Sequence, residues 1–193
     1  PHRFIFFISI LFTFCAANAQ QEKELDTTKA KDIFGIRVGV DVSKPIIALF
    51  KEDSKGFEIV VDARVYKNFY AAIEFGHDNV TSIEDYLNFT SEGSYVKFGG
   101  NYNAYENWAG MTNEIYVGAR YGLSFFNQTL NSYTPNIYGT YFVSETVEPN
   151  TEYTDLSAQW IEFILGIRAE TLKNVYMGFS IGFKSMISSK EPE

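Results

Sequence analysis

The sequence predicts an all-β chain, an up-and-down antiparallel transmembrane β-barrel, eight-stranded when complete, with about seven strands present in these residues. Three observations carry this. Apolar residues recur with a strict period of two, one face of each predicted strand is charged and the other apolar, and the connections alternate between long and short.

Taken in order, the chain opens with a leader. Arg3 precedes the apolar run Phe4 to Phe14, and Ala17-Asn18-Ala19 fits a signal-peptidase site, so residues 1–19 are expected to be a signal peptide. The run is too short to cross a bilayer as a helix. Cys15 raises a lipoprotein alternative, which the bulky Phe14 before it disfavours. Residues 20–33 are charged and aperiodic, as a flexible periplasmic lead-in would be. The barrel is expected over 34–193.

Phe34, Ile36, Val38, Val40 and Val42 alternate with Gly35, Arg37, Gly39, Asp41 and Ser43. A short turn of helix is expected near Ile46 to Phe50. Phe57, Ile59, Val61, Ala63 and Val65 then oppose Glu58, Val60, Asp62, Arg64 and Tyr66, and Lys67-Asn68 turns the chain into Phe69 to Phe75. Strands follow over 95–102, 114–125, 160–168 and 175–184, each with apolar residues at alternate positions. The connections 44–56, 78–93 and 126–155 are long, and 67–68, 103–111 and 171–174 are short. In an up-and-down barrel all the long ones share one rim, the arrangement of outer loops against periplasmic turns. His77 is expected at the outer end of the third strand, and the polar tail from Ser185 on the outer rim. The chain is expected to continue past Glu193 with one outer loop and one further strand.

Alternation alone also fits a soluble barrel or a sandwich with the apolar face inside. The polar face decides between them. It carries Arg37, Arg64, Lys97, Arg120, Arg168 and Lys184 against Asp41, Glu58, Asp62, Glu74, Glu114 and Glu162, six of each sign in a chain of net charge −8. A solvated face has no reason to balance, whereas charges in a narrow lumen must pair. Aromatic residues near strand ends (Tyr66, Phe69, Tyr102, Trp108, Phe125, Phe126, Trp160) fit interfacial girdles. The expected partners are therefore outer-membrane lipid and lipopolysaccharide. The acidic balance excludes a basic nucleic-acid stripe.

The runs Gly35 to Pro45 and Gly56 to Arg64 resemble a functionally uncharacterised family of small outer-membrane proteins of Bacteroidota, and Lys190 to Glu193 resembles the start of that family's last loop. The resemblance implies location in the bacterial outer membrane and a barrel fold, and no activity. The architecture is also similar to that of eight-stranded barrels associated with type IX secretion, a likeness of fold alone.

Little in the sequence points to catalysis. His77-Asp78, with Ser82, Ser94 and Glu84 nearby, is the one candidate for a rim hydrolase acting on lipid or peptide. Against it, no residue is marked as a nucleophile. An eight-stranded lumen is just wide enough for side chains to fill, so the charged row Arg37, Asp41, Glu58, Asp62, Arg64, Glu74, Lys97, Glu114, Arg120, Glu162 and Arg168 is expected to be a paired core rather than a pore. Acidic loop residues match no calcium-loop spacing, and no cofactor or metal is expected. The expected role is non-enzymatic: a structural or accessory envelope component that presents loops or docks to a larger complex, such as one concerned with secretion, through loop 126–155 with its tyrosines Tyr133, Tyr138, Tyr141 and Tyr153 and with Phe142.

Overall fold

The alternating segments form the strands of one sheet in a computed structural model that describes residues 35–51, 53–106, 113–135 and 146–190. The strands are β1 (Ile36–Val40), β2 (Ser54–Tyr66), β3 (Phe69–Ile83), β4 (Leu87–Asn103), β5 (Glu114–Tyr133), β6 (Thr151–Leu172) and β7 (Val175–Ser189). Every neighbouring pair is antiparallel and the spatial order is the chain order. The sheet is not closed; β1 and β7 are its two edges. The single helix among the described residues, α1 (Ser43–Phe50), lies in the β1–β2 connection. Pro45 fits its first turn, where no intrahelical N–H is lost. No helix among the described residues is long and apolar enough to cross a membrane.

The sheet curls strongly. Four strand spacings separate β1 from β5, roughly 19 Å if the sheet were flat. Yet Arg37 of β1 lies 2.6 Å from Glu114 of β5. The concave face carries the charged row and the convex face the apolar one. Asp62, Glu114 and Arg120 are each only 4% exposed, whereas Ile36, Val38 and Phe163 are 76%, 72% and 63% exposed. This reverses the distribution of a protein folded around an apolar core.

Several strands run further than their hydrophobic period predicts. β3 and β4 extend to a turn at Asp85-Tyr86, where Glu84 and Leu87 exchange backbone hydrogen bonds, so most of 78–93 is strand rather than loop. His77 is therefore within β3, six residues before its end, and not at its tip. The stretch expected as loop 126–155 is strand as far as Tyr133 and again from Thr151. Ser185 to Ser189 belong to β7 instead of a loop. The extensions escape a hydrophobicity reading because their outward residues are polar. Thr81 pairs with Thr90 at 2.9 Å, and Asn131 donates to Asn88 and Thr90 at 3.0 and 2.9 Å. In the opposite sense, β1 starts at Ile36 and stops at Val40, because Asp41 turns the chain into α1. Tyr138, Tyr141, Phe142 and Trp108 lie outside the described residues, as do the expected leader and lead-in.

In the extensions the faces exchange character. Val80, Phe89, Phe126, Leu130 and Leu156 continue the concave row, while Asn79, Thr81, Thr90, Glu92, Asn127 and Thr129 continue the convex one. The same strands are polar inside and apolar outside along one part of their length, and the reverse along the other.

Candidate functional site

The concave face holds the chemistry. Near the rim with the two-residue turns, Arg37 binds Asp62 through Nε at 2.6 Å and Glu114 through Nη1 at 2.6 Å. Arg168 faces the same two carboxylates, Asp62 at 2.9 Å and Glu114 at 3.1 Å. The result is a ring of alternating charge drawn from β1, β2, β5 and β6. Aromatic rings floor it. The Arg37 guanidinium lies 4.5 Å from the Tyr70 ring centre and 5.6 Å from that of Tyr176, and Arg168 lies 5.4 Å from Tyr116. Arg64 donates to the Tyr70 hydroxyl at 2.9 Å through Nε.

One level up, Lys97 of β4 sits among three carboxylates, with Nζ at 2.5 Å from Glu74, 3.0 Å from Glu58 and 3.7 Å from Glu162. Arg120 takes the second oxygen of Glu74 at 2.8 Å and donates Nη1 to the Gly100 and Ala119 carbonyls. Tyr95 donates its hydroxyl to Glu58. Burying ionised groups is tolerated only with this density of partners. Not every polar atom is satisfied: Arg37 Nη2, Asn101 Oδ1, Trp160 Nε1 and Glu162 Oε2 are buried without a hydrogen bond.

At the far end of the charged row α1 turns Lys44 over the face. Its Nζ reaches Asp78 at 2.5 and 2.7 Å and lies 4.8 Å from the Tyr95 ring centre. Lys44 and Tyr95 border a trough of 1910 Å³ that is also lined by residues of β1 and β7.

Of the residues singled out from sequence, Arg37, Glu58, Asp62, Glu74, Lys97, Glu114, Arg120, Glu162 and Arg168 come together in the two clusters. Arg64 joins through Tyr70. Asp41 borders the trough but uses Oδ1 to accept from the Ser43 backbone N–H at 2.8 Å, which starts α1. Lys44 and Asp78 were not foreseen as a pair. Tyr70, Tyr95, Tyr116 and Tyr176 fall on the charged face by parity alone, and that signal was legible; that they floor and bridge the charges was not.

On the convex face His77 lies between two β4 residues. Its Nδ1 is 3.1 Å from Ser94 Oγ and its Nε2 3.6 Å from Glu92 Oε1. Asn79 holds the other Glu92 oxygen at 2.9 Å, and Phe57 stacks beside the imidazole. Ser82, by contrast, lies on the concave face and Glu84 beyond the strand, so neither meets His77. Among the described residues no group of His, Cys, Asp and Glu is placed to hold a metal ion.

A family described as a domain of unknown function, DUF6048, matches residues 2–193, and the chain belongs to that family. No curated protein and no solved structure matches the chain.

Proposed function

We propose that this protein is a non-enzymatic β-barrel of the bacterial outer membrane, a structural or accessory part of the envelope that holds tall β-hairpins above the membrane. One observation carries the reading: the charged side chains are buried and paired on the concave face while the aliphatic and aromatic ones cover the convex face. An apolar surface of that extent is unfavourable in water and favourable in lipid. The outward row from Ile115 to Phe125 spans roughly 33 Å along β5, or about 25 Å in height at a tilt of about 40°. That is the height of the apolar band of outer-membrane barrels. Above it the exchange of faces gives polar residues to the outside, as water or lipopolysaccharide sugars require. The resemblance to outer-membrane proteins of Bacteroidota supports the same location.

Closure follows from the same reading. In hydrocarbon an unpaired strand edge leaves backbone groups unsatisfied at several kcal/mol each. β1 and β7 run in the same direction, so antiparallel closure takes one further strand between them and makes the barrel eight-stranded. The lumen is then a filled, ion-paired core, and the docking surface for lipopolysaccharide or an envelope complex is the set of hairpins, including the 134–150 connection. Membrane fractionation tests the proposal. The full-length protein stays in the pellet after alkaline carbonate and migrates differently on gels before and after boiling; release into the carbonate supernatant sinks it.

The contacts of His77 favour a second reading, a hydrolase at the outer edge of the apolar band, with Ser94 as nucleophile, His77 as base and Glu92 as orienting carboxylate. It ranks second because Ser94 lies in the regular β3–β4 ladder, whose N–H groups are committed to the sheet and offer no oxyanion donors. Labelling of Ser94 by a fluorophosphonate, lost in His77→Ala, would promote it.

A further inference from the structure

We propose that the outer face of α1 is a lipid contact, which extends the apolar surface above β1 and seats in the bilayer where acyl chains meet headgroups. The inference rests on the membrane reading and goes beyond it by assigning a partner to the single helix among the described residues.

β1 is short, and α1 takes over its place beside β2. Before the helix the Asp41 N–H donates to the Glu58 carbonyl at 3.0 Å, and after it the Ser54 N–H donates to the Lys51 carbonyl at 3.3 Å. The helix therefore runs alongside residues 54–58 of β2, the strand it packs against. Those residues pair with 76–80 of β3. This is the level at which the outward row of β3 passes from Phe75 to Asn79.

Lys44 fixes how the helix is turned. Its Nζ reaches to the concave side, where it meets Asp78 at 2.5 and 2.7 Å. At about 100° per residue Ile47 and Ala48 share the side of Lys44, while Pro45, Ile46, Leu49 and Phe50 fall opposite. Exposure agrees: Leu49 and Phe50 are 83% and 84% exposed, and no residue of the helix is buried. Helices this short are marginal in water, and packing of an apolar face is what usually holds them. This one also lacks a side-chain cap. An apolar medium against its outer face supplies the missing contact.

The occupant follows from continuity and from chemistry. Ile36, Val38 and Val40 of β1 are exposed, and exposed Val42 carries their strip into α1 without a polar break. On β3, β4 and β5 the same level is polar, with Asn79, Glu92 and Asn127. A protein partner is met through hydrogen bonds and a polar rim as well as apolar area. Residues 45–50 hold no polar side chain, and a lipid layer requires none. Cations stand where headgroups accept them: Lys51 follows the helix, and Lys55 lies on the outward row of β2 opposite Asn79.

Fluorescence quenching of the full-length protein in phosphatidylcholine vesicles decides the matter. A Cys15→Ser background removes the only cysteine. Leu49→Cys and Phe50→Cys then carry a bimane label, with Phe163→Cys in mid-band and Thr129→Cys on the upper outward face as references. A change of gel mobility on boiling selects folded protein. The labels at Leu49 and Phe50 should lose emission to lipids brominated near the headgroup end of the chain and be protected from iodide in the water, whereas the Thr129 label should be quenched by iodide. Quenching of the Leu49 and Phe50 labels by iodide alone puts the face in water and overturns the inference. Protection from both quenchers means that protein covers the face, another part of this chain or a second copy, and overturns it equally. The Phe163 label separates the two readings. If brominated lipids fail to quench it, the membrane reading falls; if they quench it but not Leu49 and Phe50, only this inference falls.

Discussion

The lower and upper parts of β3, β4, β5 and β6 have the same backbone, the same antiparallel ladder and the same alternation, yet the residues on the outward face differ in character. Along Phe69–Phe75 and Ile115–Phe125 the outward residues are apolar and the inward ones include Glu74, Glu114 and Arg120. Along Asn79–Thr81 and Asn127–Thr129 the outward residues are polar, with Val80, Phe126 and Leu130 inward. Strand geometry cannot cause such a change, since side chains alternate identically throughout. A change of solvent along the strand can. The apolar outward row ends between Phe75 and Asn79 on β3 and between Phe125 and Asn127 on β5, and the proposed membrane reading puts the edge of the bilayer there.

The largest effect is expected in the lower part, from Glu74→Ala. Glu74 pairs at once with Lys97 at 2.5 Å and Arg120 at 2.8 Å, and all three are buried. Removing it leaves Arg120 without its carboxylate and Lys97 with only Glu58 and Glu162, and breaking a buried pair by deleting one partner destabilises by about 3–5 kcal/mol. Urea unfolding in detergent or lipid should show a loss of that order. A change below about 1 kcal/mol would mean that water fills the concave face, and the contrast between the two parts would collapse.

Next in size is a charge placed on the outside. Phe163→Arg, in mid-band on β6, is expected to destabilise insertion by about 2–4 kcal/mol, and Thr129→Arg on the upper outward face by about 0–1. Both positions are outward, so strand propensity and local geometry are nearly matched. Equal penalties at the two sites, read by folding into vesicles, would show that no boundary lies between them.

How much of this was legible in the sequence depended on the same contrast. Where one face is apolar, as from Phe69 to Phe75, hydrophobic period locates the strand and its parity assigns Glu74 and Arg120 to one face. Where the outward row is Thr, Asn and Ser, the period fades although the strand continues. Phe89 and Leu130 then look like stray apolar residues in loops rather than an inward row. Pairing across several strands was not legible at all. That Arg37 meets Glu114 depends on how tightly the sheet curls, which no local pattern specifies. The Lys44–Asp78 contact was hidden for a related reason, since it needs α1 to pack against β2 so that Lys44 reaches across to Asp78 of β3.

The smallest effect is expected at His77, and it tests the boundary from the polar side. His77 sits where the outward row changes character, stacked on Phe57 and 3.1 Å from Ser94. It is more than a third exposed, and its carboxylate contact to Glu92 at 3.6 Å is long for a strong pair. An exposed pair of this kind contributes about 0–1 kcal/mol, so His77→Ala should leave stability and abundance nearly unchanged. It should also leave any envelope phenotype of the gene intact, because the scaffold reading assigns its imidazole no chemistry. Ser94→Ala should behave the same way. Should both variants insert and accumulate normally but lose the phenotype together, with Phe57→Leu retaining it, the hydrolase would replace the scaffold as the better reading. The outward face at the boundary would then be an active surface instead of a polar rim.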